Sequence, residues 1–236
     1  MRPRGGRVPH GVFRAAALES GAVSARSSQR AFRLSDADLG SISVHGTAHA
    51  FPRQSIIVRE GEATDSLYII LEGRVKAFVS DGEGREVVLS IQGPGEYFGE
   101  MVLDEGPRSA SVMALEATRC LVVPKAEFRA FLARNPAFSL SLTEKLIHRV
   151  RDLTANVKSL ALMDVYGRVA RLLLELAEEK DGVMVIEERL TQQDIASRVG
   201  ASREMVSRIL KDLSVGGYVV QTRERIILSK KPPAHW

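Results

Sequence analysis

The chain reads as α+β, with its strands gathered in the first half and its helices in the second. Three observations predict this. Between residues 50 and 124, short β-branched or aromatic runs alternate with glycine-bearing turns. After Pro136 no Pro or Gly interrupts the chain as far as Met163, and apolar residues recur at helical spacing. Beyond residue 164, two short helical patterns flank a glycine, and a strand-turn-strand pattern follows.

The β segment comprises "SIIVREG", "SLYIILEGRVKAFVSDGEGREVVLSIQGPGEYFGEM" and "ASVMALEATRCLVV". Gly61, Gly73, Gly82, Gly84, Gly93, Gly95 and Gly106 punctuate it at short intervals, which predicts a compact antiparallel barrel or roll. "SDGEG" fits a hairpin turn. The helical part opens with "PKAEFRAFLARN", which has Pro124 in a first-turn position and stops before Pro136. Leu146, Val150, Leu153, Val157 and Leu160 then follow at spacings of 4, 3, 4 and 3. That heptad pattern draws one apolar seam along a helix of roughly 40 Å. The seam either faces its own domain or pairs with a second copy. A small roll offers a helix of that length little surface, so a homodimer is expected.

In "DVYGRVARLLLELAEEK", Val165, Val169, Leu172, Leu173 and Leu176 are expected to be buried at helical spacing. In "LTQQDIASRVGASREMVSRILKDLSVGGYV", Thr191 and Ser202 can each N-cap a helix, and Gly200 sits where a tight turn requires positive φ. Ile195, Ala196, Val199, Val206, Ile209 and Leu213 supply apolar contacts, which completes a helix-turn-helix pattern. "YVVQTRERIILS" predicts a two-stranded wing. The expected divisions are a disordered tail at 1–35, a β-roll at 36–134, a dimerisation helix at 135–163 and a winged helix-turn-helix at 164–236.

Composition narrows the function. With 44% apolar and 26% charged residues in 236, the chain is an ordinary globular protein. No apolar run reaches the roughly 18 to 20 residues of a membrane span. A single cysteine, Cys120, excludes an intramolecular disulfide and any four-cysteine metal site within one chain, which suits a reducing cytoplasm. The net charge of +4 is uneven: residues 1–35 carry seven Arg against one acid, and residues 36–164 carry 14 basic against 18 acidic side chains. The charge therefore reflects the tail, and by itself it indicates no nucleic-acid partner. The tail reads as a disordered extension or an upstream start, with targeting or nonspecific DNA contact as alternatives.

Two stretches carry chemistry. "GEMVLDEGPRSA", residues 99–110, packs the acceptor Glu100 and the donors Arg108 and Ser109 into one glycine-marked excursion between strands. Its alternative reading is a Glu100–Arg108 surface ion pair, worth about 0–1 kcal/mol. On the second helix of the helix-turn-helix, Arg203, Glu204, Ser207 and Arg208 form one outward face near the N-terminus. Arg can fork onto guanine and Glu can accept from cytosine, so this face suits base reading in a major groove. The alternative is a solvated face with Glu204 and Arg208 paired. Five His are scattered without a third clustered ligand, and no nucleophile–base set stands out, so neither a metal site nor an enzyme is expected.

"LALMDVYGRVARLLLELA", followed by "LTQQDIASRVGASREMVSRILKDL", and the "FGEM…PRSAS" segment resemble the bacterial Crp/Fnr superfamily of transcription regulators, over residues 36–229. The resemblance implies that Gly99 and Glu100 grip a ribose 2′-hydroxyl and that Arg108 and Ser109 grip a cyclic phosphate. It implies a ligand set completed by Leu89, Ala110 and Thr154. The implied effector is cyclic AMP, with cyclic GMP as the other possibility: Leu153 and Thr154 stand where cyclic-AMP-binding members carry adjacent Thr and Ser. Arg203, Glu204 and Arg208 fall on the family's base-reading positions, which implies palindromic TGTGA-like sites, while Ser207 departs from them. Thr191, Gln193, Ser202 and Lys211 fall on phosphate-contacting positions, which set register. Double-stranded DNA, a second copy and RNA polymerase are the implied partners. The segment from Glu178 to Val183 is shorter than the family's polymerase-contacting loop. Redox sensing of the Fnr kind needs a cysteine cluster that this chain lacks. Ligand near Leu153–Thr154 is expected to re-register the seam, with a hinge near Met163–Asp164. The competing expectation is a ligand-independent regulator with a degenerate sensor.

Overall fold

A computed structural model describes residues 33–63, 65–222 and 224–233; the expected tail lies outside the described residues except for 33–35. The described residues form two compact units, divided between Lys158 and Ser159.

The first unit opens with α1 (Asp36–Ser43), an element the sequence pattern did not suggest. Ser35 caps it by accepting from the Asp38 backbone, and Ile42 is fully buried. Eight strands follow: β1 (Thr47–Phe51), β2 (Ile56–Val58), β3 (Ser66–Glu72), β4 (Val75–Ser80), β5 (Glu86–Gln92), β6 (Tyr97–Phe98), β7 (Ser111–Ala114) and β8 (Thr118–Pro124). They pair antiparallel in two four-stranded sheets, in the orders β1-β8-β3-β6 and β2-β7-β4-β5. Side chains alternate across a strand, so β8 serves two cores. Leu121 and Val123 join Leu67, Ile69, Tyr97 and Phe128 in one cluster. Cys120 joins Ile70, Val75, Phe98 and Val112 in the other. Burial pushes the Cys120 thiol up to about 12, as expected of a cysteine that serves as core.

Pro124 stands at the N-cap position of α2 (Lys125–Arg134) without a side-chain cap bond, and Pro136 starts α3 (Pro136–Leu162). Near its start α3 buries Phe138, Leu142 and Lys145. Its heptad seam is open in the single chain: Leu146 is 37% exposed, Val150 63%, Leu153 43%, Val157 65% and Leu160 51%.

The second unit contains α4 (Val165–Leu176), β9 (Glu178–Lys180), β10 (Val183–Ile186), α5 (Gln192–Val199), α6 (Arg203–Val215), β11 (Val219–Gln221) and β12 (Ile226–Leu228). Val169 and Leu173 are fully buried, whereas Val165, Leu172 and Leu176 are only partly covered, because α4 packs one face and leaves its flanks wet. The wing hairpin is part of a larger sheet than expected, ordered β11-β12-β10-β9. Asp181 at φ 52° and Gly182 at φ 77° make the β9–β10 link, the positive-φ pair of a type I′ turn. The expected hinge at Met163–Asp164 is tied down within this unit. Arg168 donates to the Met163 carbonyl at 2.9 Å, and the Asp164 carboxylate accepts from the Gly167 backbone at 2.7 Å. Among the described residues no helix is long and apolar enough to cross a membrane.

Candidate effector site and DNA-reading helix

The loop between β6 and β7 is built around a buried guanidinium. Gly99 takes φ 81° and opens a short 3-10 turn, Glu100–Leu103. A Cβ at Gly99 would lie 2.6 Å from Arg108 Nη1, so only glycine leaves room for that cation. The Arg108 backbone is pinned by two bonds, its N–H to the Glu62 carbonyl at 2.9 Å and its carbonyl from the Gly61 N–H at 2.8 Å. Its side chain is 7% exposed and lies over the Tyr68 ring, 5.6 Å from the centroid. Nη2 donates to the Ser66 carbonyl at 2.9 Å and faces exposed Asp65 at 3.6 Å. Nη1 is buried and has no hydrogen-bond partner.

A charged nitrogen buried without an acceptor is costly, and such atoms are rare in folded proteins. The residues around it fit a molecule that brings an anion to Arg108 and a hydroxyl to Glu100, because a carboxylate accepts from a sugar hydroxyl and repels a free phosphate. Glu100 is itself buried and forms no ion pair with Arg108, which sets aside the surface-pair alternative. Its charge partner is Arg149 of α3, at 3.9 Å. Arg149 also reaches the Ser90 hydroxyl at 3.5 Å. Beside Ser90, half-buried Leu89 sits at a β-bulge: Ala77 pairs Ser90 and Phe78 pairs Val88, leaving Leu89 without a partner across the strand.

Ser109 is exposed, and its hydroxyl rests on Met101 Sδ at 3.1 Å. Ala110 is half-buried just before β7. Thr154 is not joined to the loop among the described residues; its hydroxyl donates to the Val150 carbonyl of its own helix at 2.8 Å. Sequence reasoning missed Arg149 and Lys145. They continue the stripe of Phe138 and Leu142 at spacings of 4, 3 and 4, the signal that could have found them. Lys145 is 4% exposed and donates to the Tyr97 carbonyl at 2.8 Å. Among the described residues no three His, Cys, Asp or Glu side chains cluster as a metal site.

In the second unit local chemistry fixes the helix-turn-helix. Thr191 and Asp194 form a reciprocal capping box on α5, Gly200 ends it at φ 63°, and Ser202 caps α6. Arg168 bonds the Val199 and Gly200 carbonyls at that turn. Val206, Ile209, Leu210 and Leu213 bury one face of α6. Arg203, Glu204 and Arg208 stand exposed on the other and Ser207 is half-exposed. No Glu204–Arg208 ion pair forms among the described residues, so the paired-face alternative does not describe this helix. Gln193, Ser202, Lys211 and Thr191 are exposed, with the Thr191 hydroxyl engaged in its cap.

Comparison with known proteins agrees with both halves. Residues 48–135 match the cyclic nucleotide-binding domain and residues 167–232 match the Crp-like helix-turn-helix domain. A CRP-like cAMP-activated global transcriptional regulator of Mycobacterium tuberculosis is 36% identical over 184 residues, covering 76% of this chain and 82% of the relative. The chain belongs to the Crp/Fnr family. The cAMP-activated global transcriptional regulator CRP of Salmonella typhimurium is 36% identical over 174 residues, 72% of this chain and 83% of that protein. In fold alone, the c-di-GMP responsive global regulator CLP of Xanthomonas campestris is similar, with TM-score 0.74 at 24% identity over 83% of this chain and 100% of that one. This Crp/Fnr member is therefore a transcription regulator, not an enzyme, with a cyclic nucleotide-binding domain and a DNA-binding helix-turn-helix.

Proposed function

We propose that this chain is a homodimeric transcription factor gated by cyclic AMP, with cyclic GMP as the nearest competitor. The observation that carries the reading is the buried Arg108 guanidinium, whose Nη1 lacks a partner beside Gly99 and Glu100. The cAMP activation of its relatives in Mycobacterium tuberculosis and Salmonella typhimurium supports the same effector. When bound, the effector supplies an anionic cyclic phosphate and a ribose hydroxyl. Arg108 and Ser109 donate to the first, Gly99 and Glu100 hold the second, and Leu89, Ala110 and Thr154 complete the set.

The open seam from Leu146 to Leu160 is covered by a second copy. Residues 36–134 act as sensor, 135–163 as dimer helix and 164–236 as DNA reader. Arg203, Glu204, Ser207 and Arg208 read base edges in palindromic TGTGA-like sites, while Thr191, Gln193, Ser202 and Lys211 set register on phosphates. RNA polymerase is the onward partner, in the cytoplasm. Moving such a switch from 1:99 to 99:1 takes about 5.5 kcal/mol of differential binding. Hydrogen bonds to charged groups contribute about 1.5–3 kcal/mol each, so a few per subunit suffice.

Isothermal titration of the full chain with cyclic AMP and with cyclic GMP tests this. Saturable binding of one nucleotide per subunit is expected, tighter for cyclic AMP. Heat from neither, in a protein that still binds DNA, would favour the ligand-independent regulator.

A further inference from the structure

A lysine in a protein interior pays heavily for lost hydration, and it stays charged there only with compensation. Lys145 is such a group. On α3 it is 4% exposed, and its Nζ donates to the Tyr97 carbonyl at 2.8 Å and lies 3.2 Å from the centre of the Tyr97 ring. The same carbonyl accepts from Gln92 Nε2 at 3.1 Å. Tyr97 begins β6, and Gly99 and Glu100 follow two and three residues later. One ammonium thus ties the long helix to the short strand that runs into the effector loop.

We infer that Lys145 is a positioning residue for the effector site, anchoring the start of β6 to the long helix and supplying positive charge that faces the Glu100 carboxylate. The inference rests on the effector reading above and adds a residue and a regulation to it.

The charges around Lys145 give the pH behaviour. Burial pulls its pKa down to about 8, opposed by the Glu100 and Glu96 carboxylates and reinforced by the Arg149 guanidinium. Tyr97 titrates well above the usual phenol range because it too is buried, so it stays neutral here. Burial raises Glu96, whose carboxylate accepts from the Gly93 N–H at 2.7 Å. Lys145 is therefore the member of this group that loses charge just above neutral pH. An anionic effector loses a favourable charge as that proton leaves, so affinity falls as pH rises. The fold, relieved of a buried cation, does not weaken in the same window. A purely structural lysine would move the two together.

The test measures the Kd of a fluorescent cyclic AMP analogue, with melting temperature in parallel, from pH 7 to 9.5. The proteins are full-length wild type, Lys145→Met and Lys145→Arg. At an effective dielectric near 20, a unit charge ~10 Å away is worth about tenfold in affinity. Wild-type affinity should fall by about tenfold across the range without a fall in melting temperature. Lys145→Met should bind weakly at pH 7 with a flat profile, and Lys145→Arg should recover neutral-pH affinity. A flat wild-type profile overturns the inference even if Lys145→Met fails to fold. So does a Lys145→Met protein with wild-type affinity and pH dependence. Absence of any wild-type binding at pH 7 overturns the effector reading itself, and this inference with it.

Discussion

Replacing Gly99 by alanine adds one methyl group at a known place. The ideal Cβ lies 2.6 Å from Arg108 Nη1 and 3.0 Å from the Ser66 carbonyl oxygen, on a backbone at φ 81°. Left-handed backbone costs a non-glycine residue about 1–2 kcal/mol. In a domain of this size that lowers the melting temperature by roughly 2–8 °C. The methyl group also forces the guanidinium away from where Nη1 now sits. Losing one charge-assisted bond to a ligand is worth about 1.5–3 kcal/mol, or roughly 10- to 150-fold in Kd. Calorimetric titration with cyclic AMP, alongside a thermal melt, separates the two effects. Affinity should drop by at least tenfold while the protein stays folded at 25 °C. A Gly99→Ala protein that binds within threefold of wild type would refute the argument that this glycine makes room for Arg108.

Arg108→Gln removes the cation whose Nη1 is unpartnered; nucleotide affinity should fall by at least ~100-fold, the loss of two charge-assisted bonds, with only a few degrees' change in melting. On α6, Arg208→Ala should cost about 1–3 kcal/mol on the cognate duplex and relax preference at one base pair. Lys211→Ala should instead weaken all sequences alike and reduce the salt slope by about 1, both read by anisotropy at several salt concentrations. The folded pKa of Lys145, about 8, lies below its ordinary value of 10.5, so the unfolded chain holds the proton longer. The destabilisation is complete below pH 8 and is relieved as pH rises toward 10.5. Unfolding free energy should therefore gain up to about 3 kcal/mol from this group across that window. Urea denaturation of wild type against Lys145→Met at pH 7.5 and 9.5 measures it, and a wild-type loss relative to the variant would reverse the sign.

What the sequence makes legible follows from how local each feature is. Thr191, Asp194, Gly200 and Ser202 act within a few residues of themselves, so the helix-turn-helix can be read directly. Gly99, Glu100 and Arg108 announce their chemistry by residue type. Their burial and the spare Nη1 depend on Ser66 and Tyr68, some 40 residues earlier, and no local pattern contains that. Lys145 and Arg149 were missed because charges on a helix ordinarily face water; their stripe with Phe138 and Leu142 acquires meaning only against the packed roll. β9 was missed because Glu178–Lys180 lacks strand-forming side chains, although Asp181–Gly182 marks the turn. The Met163–Asp164 junction is held by Arg168, whose bond to the Met163 carbonyl spans five residues and is not visible in the local pattern.

Effector-gated DNA binding is the central claim, and one titration addresses it: anisotropy of a labelled TGTGA-palindrome duplex, at fixed salt, against the full chain with and without saturating cyclic AMP. Tenfold or greater tightening with the nucleotide is the predicted result. Equally tight binding in both conditions would contradict gating and leave a regulator that ignores its sensor domain.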